Sequence, residues 1–175
     1  MTGMPDELRT ARLVLRRVTP ADADAAIAIH ADPETTRYRP DGAASPEQTR
    51  ALLDDWIAHW AAHGFGYWAI VLADIGKTIG FGGVRYRHVE GELALNVYYR
   101  IARSAWGHGY APEMVAAAVG WAARDLPGVP VMIITNVDNT QAMKVAEKTG
   151  FVEAWQGDCD GVPSRYYRYA VTPPR

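Results

Sequence analysis

The feature that most constrains this chain is a glycine-containing segment between a strand-like and a helix-like stretch. Residues 93–101 are rich in aromatic and branched side chains, and residues 111–123 are rich in alanine. Between them, Gly107 and Gly109 permit backbone conformations that other residues avoid, and Pro112 fits the first turn of a helix. The segment therefore predicts a strand, a tight turn and a helix. Because the first amides of a helix lack partners within it, such a turn can bind a pyrophosphate.

Two other nucleotide-binding motifs fit the chain less well. A phosphate-binding loop ending in Gly76, Lys77 and Thr78 fails because Val71 stands where its first glycine is required. A dinucleotide fingerprint lacks its third glycine, since Pro112 occupies that position, and no acidic residue ends the next strand about 20 residues later. A tight turn that binds nothing stays open as an alternative, because isolated Gly-x-Gly matches are common.

The composition is that of an ordinary globular protein. The chain has 175 residues, of which 49% are hydrophobic and 22% charged, and its formal net charge is −2. This length suits one domain over residues 1–175, and the near-neutral charge argues against general nucleic-acid binding. Cys159 is the only cysteine, which excludes an intrachain disulfide and a zinc cluster built from cysteines. The longest apolar run, residues 114–123, is too short to span a bilayer, so we expect a cytoplasmic location.

Periodicity and turn residues divide the chain into strands and helices. We predict strands at residues 13–15, 67–72, 78–87, 93–101, 131–135, 152–156 and 166–171, and helices at residues 22–31, 46–63, 111–123 and 139–149. Ser45 and Gln48 form a capping box at the start of the second helix, and Gly64 follows its end. The resulting order is β-α-α-β-β-β-α-β-α-β-β, which predicts an α/β (α+β) fold with an antiparallel meander.

Three segments stand out along the chain. They are residues 8–16, Leu-Arg-Thr-Ala-Arg-Leu-Val-Leu-Arg; residues 106–113, Trp-Gly-His-Gly-Tyr-Ala-Pro-Glu; and residues 139–151, which begin with Asn139 and end in Glu-Lys-Thr-Gly-Phe. In this order they resemble the GCN5-related N-acetyltransferase (GNAT) family, in particular its ribosomal-protein N-terminal acetyltransferase-like branch. The resemblance covers nearly the whole chain. It implies the GNAT fold, a central mixed, mostly antiparallel sheet with helices on both faces. It also implies acetyl-CoA as co-substrate, and we expect no metal.

The resemblance further implies which residues contact acetyl-CoA. The pyrophosphate would accept hydrogen bonds from the turn, and the pantetheine arm would pair with the end of the preceding strand. The implied binding residues are Trp106, Gly107, His108, Gly109, Tyr110 and Ala111 in the turn, and Tyr99, Arg100 and Ile101 in the strand. Asn139 would hydrogen-bond the pantetheine or support the thioester, and it is equally a good helix N-cap.

Acetyl transfer to an amine needs a neutral amine, hydrogen-bond donors for the tetrahedral oxyanion and a proton for the leaving thiolate. The family resemblance implies direct attack by the amine in a ternary complex. Relatives often carry Glu, Ser and Tyr where this chain has Asn96, Ala142 and Ala146. The usual acid and base of the family therefore do not carry over to this chain.

Four residues are candidate replacements for the missing acid and base. Glu92 would relay a proton from the amine through water, or it is a solvated carboxylate at a strand end. His88 titrates in a suitable range, but it belongs to a hairpin end. Tyr98 and Tyr99 face opposite sides of one strand, so one reaches the site while the other packs in the core. We take Glu92, Tyr98 and Asn139 as the predicted catalytic residues.

Other residues invite a functional interpretation but favour a structural one. The aromatic side chains of the second helix and the segment after it are expected mainly in the core, although some would wall the acceptor pocket; they are Trp56, Trp60, Phe65, Tyr67 and Trp68. His59 and His63 are four residues apart on one helix, which suits a metal, but no third ligand is evident. We therefore expect both histidines at the surface.

Three hypotheses follow from the sequence. The first is an acetyl-CoA-dependent N-acetyltransferase whose partner is a small-molecule or peptide amine, with no nucleic-acid or membrane partner. The second is a non-catalytic acyl-CoA-binding sensor or regulatory module, which the missing acid and base keep open. The third, a dinucleotide-binding oxidoreductase, is disfavoured by the predicted meander. Homodimers are common among relatives, and the identity of the amine is not predicted.

Overall fold

The computed structural model describes residues 4–170. Its strands are β1 (Glu7–Arg9), β2 (Leu13–Arg17), β3 (Tyr67–Leu72), β4 (Thr78–Val89), β5 (Glu92–Ile101), β6 (Val131–Asn136), β7 (Phe151–Cys159) and β8 (Val162–Tyr169). Its helices are α1 (Ala23–Ala31), α2 (Pro46–His63), α3 (Tyr110–Asp125) and α4 (Thr140–Lys148). The strands form one sheet in the order β1-β2-β3-β4-β5-β6-β8-β7. Neighbours are antiparallel except β5 and β6, which are parallel.

The helices cover both faces of the sheet, because successive strand residues point to opposite sides. On one face, the Trp56 ring of α2 lies 5.5 Å from the Tyr67 ring and 5.8 Å from the Tyr98 ring, measured between centroids. On the other face, α3 packs on β4 and β5, and α4 packs on β6 and β7. The predicted mixed, mostly antiparallel sheet with helices on both faces is therefore confirmed.

Two glycines of β4 lie in close contact with β5, and one of them also lies close to α3. A Cβ atom built on Gly82 would be 2.6 Å from the Tyr98 carbonyl oxygen and 2.9 Å from Cε of Met114 in α3. A Cβ atom on Gly80 would collide with the backbone of β5 in the same way. The sequence suggested no role for these glycines beyond loosening a strand, since the close approach of β5 and α3 is a tertiary property.

The start and end of α2 follow the sequence prediction. The Ser45 hydroxyl accepts a hydrogen bond from the Gln48 amide at 3.1 Å, and the Gln48 side chain accepts one from the Ser45 amide at 2.8 Å. Gly64 ends the helix with a φ of +71°, a left-handed conformation that glycine adopts without strain. Local signals therefore determine this helix.

The structure differs from the predicted elements mainly at the two ends of the described residues. The strand β1 was not predicted, because three residues are too few to show a period of two. The hairpin of β7 and β8 is longer than the predicted strands 152–156 and 166–171, with a turn at Asp160 and Gly161. The predicted end of the last strand, Val171, lies outside the described residues.

Candidate active site

The turn between β5 and α3 presents five consecutive amides with no protein acceptor. Gly107 and Gly109 have φ angles of +80° and +78°, which glycine adopts readily. Within residues 4–170, none of the amides from Gly107 to Ala111 donates a hydrogen bond to the protein, and the Glu113 amide bonds to the Gly109 carbonyl at 3.3 Å. A Cβ atom on Gly107 would meet nothing within 4 Å. The open surface, the free amides and the positive end of the α3 dipole together fit a phosphate group.

An unpaired strand edge begins beside this turn. The parallel pairing of β5 with β6 stops at Asn96 and Met132, whereas β5 stays paired with β4 up to Ile101. The Leu95 amide donates to Pro130 on the β6 side. Because alternate residues of a strand direct their backbone groups to the same side, the N–H and C=O of Tyr99 point into the gap between the strands. This edge fits a ligand that pairs as an added strand.

Trp106 and Asn139 lie on opposite sides of the gap between the strands. Trp106 belongs to the turn that follows β5, and Asn139 lies at the start of α4, which follows β6. The Trp106 indole N–H donates to the Ile101 carbonyl at 2.8 Å, so it connects the end of β5 to the turn. Asn139 is the N-cap of α4, and its Oδ1 accepts from the Ala142 amide at 3.1 Å. The N-cap interpretation of Asn139 is therefore confirmed. Its Nδ2 donates to no acceptor within the described residues, which leaves that group available to a ligand.

Tyr98 lies on the α1 and α2 face at the centre of a partly buried chain of hydrogen-bonded side chains. His30 Nδ1 lies 2.8 Å from the Ala26 carbonyl oxygen, so Nδ1 carries the proton and donates it. Burial lowers the pKa of His30 to about 4, so the ring is neutral at pH 7 and its Nε2 accepts from the Tyr98 hydroxyl at 3.1 Å. Arg100 Nε donates to the same hydroxyl oxygen at 3.0 Å, and the Arg100 guanidinium also donates to the Thr35 carbonyl. The side chain of Arg100 therefore points away from the open edge of β5.

Tyr99 and Tyr67 lie on opposite faces of the sheet, and Tyr67 is buried whereas Tyr99 is half-buried. Burial raises the pKa of Tyr99 and of Tyr67 above the ordinary tyrosine value, which favours their neutral forms. Tyr67 stacks on Tyr98 with centroids 5.0 Å apart, and its hydroxyl accepts from Asn96 Nδ2 at 3.4 Å. Of Tyr98 and Tyr99, the two neighbouring candidates from the sequence, Tyr98 is the one whose hydroxyl is hydrogen-bonded to other side chains. The aromatic residues predicted mainly for the core are buried: Trp56, Trp60, Phe65, Tyr67 and Trp68.

Glu92 is the predicted site residue that the structure does not bring close to the turn. It begins β5, six residues before Tyr98, which corresponds to about 20 Å of extended strand. Its carboxylate is ion-paired with Arg168 at 2.9 Å and lines an open depression with Trp155. His88 lies at the same end of the sheet, paired with Leu93 in the register of β4 and β5.

The histidine pair of α2 does not form a metal site. His59 is 9% exposed, so its predicted surface position is wrong. Its Nδ1 bonds to the Phe65 carbonyl at 2.9 Å and its Nε2 accepts from the Tyr86 amide at 3.2 Å. Nδ1 therefore joins α2 to the segment that follows it, and Nε2 joins α2 to β4, a role that helical spacing does not reveal. Among residues 4–170 no group of three or more potential metal ligands is found.

Sequence reasoning missed a contact between the β1–β2 loop and the turn. Arg12 Nε donates to Glu113 Oε2 at 2.7 Å, and Arg12 Nη1 donates to the His108 carbonyl at 2.7 Å. Burial opposes the charged form of Glu113, but hydrogen bonds from Thr10 and Arg12 outweigh it, so the pKa of Glu113 is lowered. Arg12 and Glu113 both lie in segments that resemble the family, and this was the one feature of the sequence that could have pointed to their contact. His30 had no such signal.

A strand with an unpaired edge, followed by a turn of free amides and a helix, is the arrangement of coenzyme A-dependent acetyltransferases of the GNAT type. Comparisons with known proteins agree with this class. The family model "Acetyltransferase (GNAT) domain" matches residues 12–152. The chain therefore belongs to the GNAT acetyltransferase family and is an acyltransferase. The family uses acetyl-CoA.

Individual relatives support the same assignment. The chain is 28% identical over 172 residues to the uncharacterized N-acetyltransferase YoaA of Bacillus subtilis (strain 168), covering 95% of this chain and 90% of that protein. An acetyltransferase structure from Agrobacterium tumefaciens str. C58 superposes with a TM-score of 0.83 at 26% identity, covering 96% and 95% of the two chains. The complex of RimL, a ribosomal L7/L12 alpha-N-protein acetyltransferase, with coenzyme A superposes with a TM-score of 0.73 at 18% identity, covering 93% and 96%. Within residues 4–170, no helix is both long and apolar enough to cross a membrane.

Proposed function

We propose that this chain is an N-acetyltransferase that moves an acetyl group from acetyl-CoA to a primary amine by direct attack in a ternary complex. The observation that carries the proposal is the row of five free amides from Gly107 to Ala111 beside the unpaired edge of β5. Acetyl-CoA supplies an activated acetyl group. The chain supplies amide donors for its phosphates, an extended edge for its arm and a polar face from which an amine approaches.

In this proposal the turn binds the donor and the edge of β5 orients it. The amides of the turn donate to the pyrophosphate, and Trp106 keeps the end of β5 at a constant position relative to them. The N–H and C=O of Tyr99 pair with the amide groups of the pantetheine arm. Asn139 donates through Nδ2 while its Oδ1 keeps capping α4, so its two predicted roles are compatible.

Tyr98 is the residue best placed to accept a proton from the amine. Its own proton points to His30 Nε2, and its oxygen receives the Arg100 N–H, so one lone pair stays free for a further donor. When the amine proton moves to this oxygen, the Tyr98 proton passes to His30 Nε2, so the hydroxyl stays neutral and the proton ends on His30. The catalytic role of Glu92 stays a prediction, and its distance along β5 gives it less support than Tyr98 has.

The lone cysteine supports direct attack over an acyl-enzyme route. Cys159 Sγ lies 3.1 Å from Arg87 Nη2, and Arg87 pairs with Ala94 near the hairpin end of β4 and β5. The turn adjoins the opposite end of these strands, where Gly80 pairs with Ile101. A thiol at this location does not reach a donor bound at the turn.

The proposal is tested by release of free CoA from acetyl-CoA with a panel of primary amines. The panel contains peptides with free N-termini, amino acids, polyamines and aminoglycosides. We expect amine-dependent release with at least one class, together with the acetylated amine in the mass spectrum. Tight binding of CoA without release for any amine would instead support the sensor module, for which the absence of the usual acid and base is the observation in favour.

A glycine pair provides a matched control for the placement of the donor. Gly109→Ala and Gly76→Ala both introduce a side chain at a left-handed position, with φ of +78° and +67°, so both carry a similar backbone strain. Gly76 lies in the turn between β3 and β4, and a Cβ atom on it would meet nothing within 4 Å. We expect weaker CoA binding by calorimetry in the Gly109 variant only. Equal affinities in the two variants would refute the placement of the pyrophosphate at this turn.

Four properties stay predictions: the chemical nature of the acceptor, the cytoplasmic location, the homodimer and the extent of the domain over residues 1–175. Gel filtration coupled to light scattering measures whether the protein is a homodimer in solution. The amine panel selects the acceptor class.

A further inference from the structure

Arg12 connects the N-terminal hairpin to the donor turn, residues 107–111, and to the start of α3. Its hydrogen-bond partners there lie about 100 residues further along the chain. The loop between β1 and β2 supplies the Thr10 hydroxyl, which donates to Glu113 Oε1 at 2.6 Å, and the Arg12 amide, which donates to the same oxygen at 2.8 Å. The Arg12 guanidinium donates to Glu113 Oε2 at 2.7 Å. Glu113 belongs to the first turn of α3 and its side chain is only 16% exposed. Three hydrogen bonds therefore hold this carboxylate, which distinguishes it from an isolated surface ion pair.

The remaining nitrogens of the guanidinium face the turn itself. Arg12 Nη1 donates to the His108 carbonyl at 2.7 Å, so this carbonyl is directed to Arg12 and the peptide is held in one orientation. A Cβ atom on Gly109 would lie 3.5 Å from Arg12 Nη2, which places Nη2 beside the turn. Within the described residues Nη2 has no acceptor. The guanidinium carbon lies 4.7 Å from the centre of the Tyr110 ring, which restricts the side chain further.

We propose that Arg12 is a donor-site residue: it holds the turn through His108 and Glu113 and presents Nη2 to the phosphate bound at the turn. This inference rests on the proposed function. The turn carries two glycines with left-handed φ angles and is a flexible segment by composition. A bidentate arginine reduces that freedom before the ligand arrives, so less conformational entropy is lost on binding. The free N–H groups of Nη2 add positive charge where a phosphate would lie.

The test uses Arg12→Gln in the full-length protein, with Arg9→Gln as the matched control. Arg9 lies on the same hairpin, and its side chain is 68% exposed and paired only with Glu7 in the described residues. Dissociation constants for CoA and for dephospho-CoA, which lacks the 3′-phosphate but keeps the pyrophosphate, are measured by calorimetry. We expect about a ten-fold loss of affinity for both ligands in the Arg12 variant, the effect of one charge-assisted hydrogen bond, and no loss in the control.

Three readouts separate this role from a merely structural one. The circular dichroism spectrum of ligand-free R12Q should match wild type, and R12K, which keeps the charge but not the fork, should bind CoA with intermediate affinity. With an amine that the wild type accepts, the KM for acetyl-CoA should rise while the KM for the amine and kcat stay unchanged. If R12Q does not fold, R12K carries the test.

Two results would overturn the inference. One is wild-type affinity for CoA in folded R12Q or, if that variant does not fold, in R12K. The other is a loss with CoA that is absent with dephospho-CoA, because it would place Arg12 at the 3′-phosphate and not at the turn. Wild-type protein that binds no CoA would refute the proposed function itself, which is a separate outcome visible before any variant is measured.

Discussion

His30 should make the stability of this protein depend on pH in the mildly acidic range. Burial lowers its pKa from 6.5 to about 4 in the folded protein, and the nearby Arg100 and Arg39 act in the same direction. The hydrogen bond of Nδ1 to Ala26 opposes this shift. Since the unfolded chain binds a proton more readily than the folded one, the contribution of His30 is complete above the unfolded pKa and is lost as the pH falls towards the folded pKa.

The size of the effect follows from the two pKa values. Between about pH 7 and about pH 5, a shift from 6.5 to about 4 corresponds to a loss of about 2 kcal/mol in the free energy of unfolding. His30→Gln retains hydrogen-bonding groups but does not titrate. Its free energy of unfolding should be lower than wild type near neutral pH, and the difference between the two proteins should shrink by about 2 kcal/mol on acidification to about pH 5.

Urea unfolding followed by tryptophan fluorescence measures this difference, because the chain has six tryptophans. Burial also lowers the pKa of His59, but that contribution is present in both proteins and cancels in the comparison. Parallel pH profiles for wild type and the His30 variant would refute the reasoning. They would show that the folded protein protonates His30 as readily as the unfolded chain does, so that burial does not lower its pKa.

Two further predictions concern the sheet and the chemistry. Gly82→Ala should lower the free energy of unfolding by about 1–3 kcal/mol, because its Cβ would collide with β5 and Met114. Gly120 lies in α3, and a Cβ atom on it would meet nothing within 4 Å, so Gly120→Ala should instead raise the free energy of unfolding by about 1 kcal/mol. Chemical denaturation of both variants measures these two changes. Tyr98→Phe should lower kcat about 100-fold with the KM for acetyl-CoA unchanged. An unchanged kcat would exclude Tyr98 as the proton acceptor, and Glu92→Gln in the same assay tests the carboxylate.

Much of the fold was predictable because its signals are local. The capping box at Ser45, the left-handed Gly64 and the glycines of the donor turn each act through their immediate neighbours, and the period of the hydrophobic residues distinguishes helices from strands. The same locality explains the failures. The strand β1 is too short to show a period. His59 has helical spacing from His63, although its hydrogen-bond partners, Phe65 and Tyr86, lie outside α2.

The candidate site was predictable in part for the same reason. Gly107 to Ala111 are contiguous, so their free amides follow from one turn and one helix start. Asn139 as an N-cap is likewise a local property. The sequence alone therefore determined the family, the order of the elements and the position of the donor turn.

Only the tertiary structure decided which side chains surround that turn and the end of β5. Arg12 and Glu113 are 101 residues apart, and His30 and Tyr98 are 68 residues apart. No local pattern pairs them, because such contacts depend on the order of the strands, their register and the face that each helix covers. The gap between β5 and β6 has the same origin. Their parallel pairing ends at Asn96 and Met132, whereas β6 stays paired with β8 up to Asn136, and a binding edge exists only where two strands diverge.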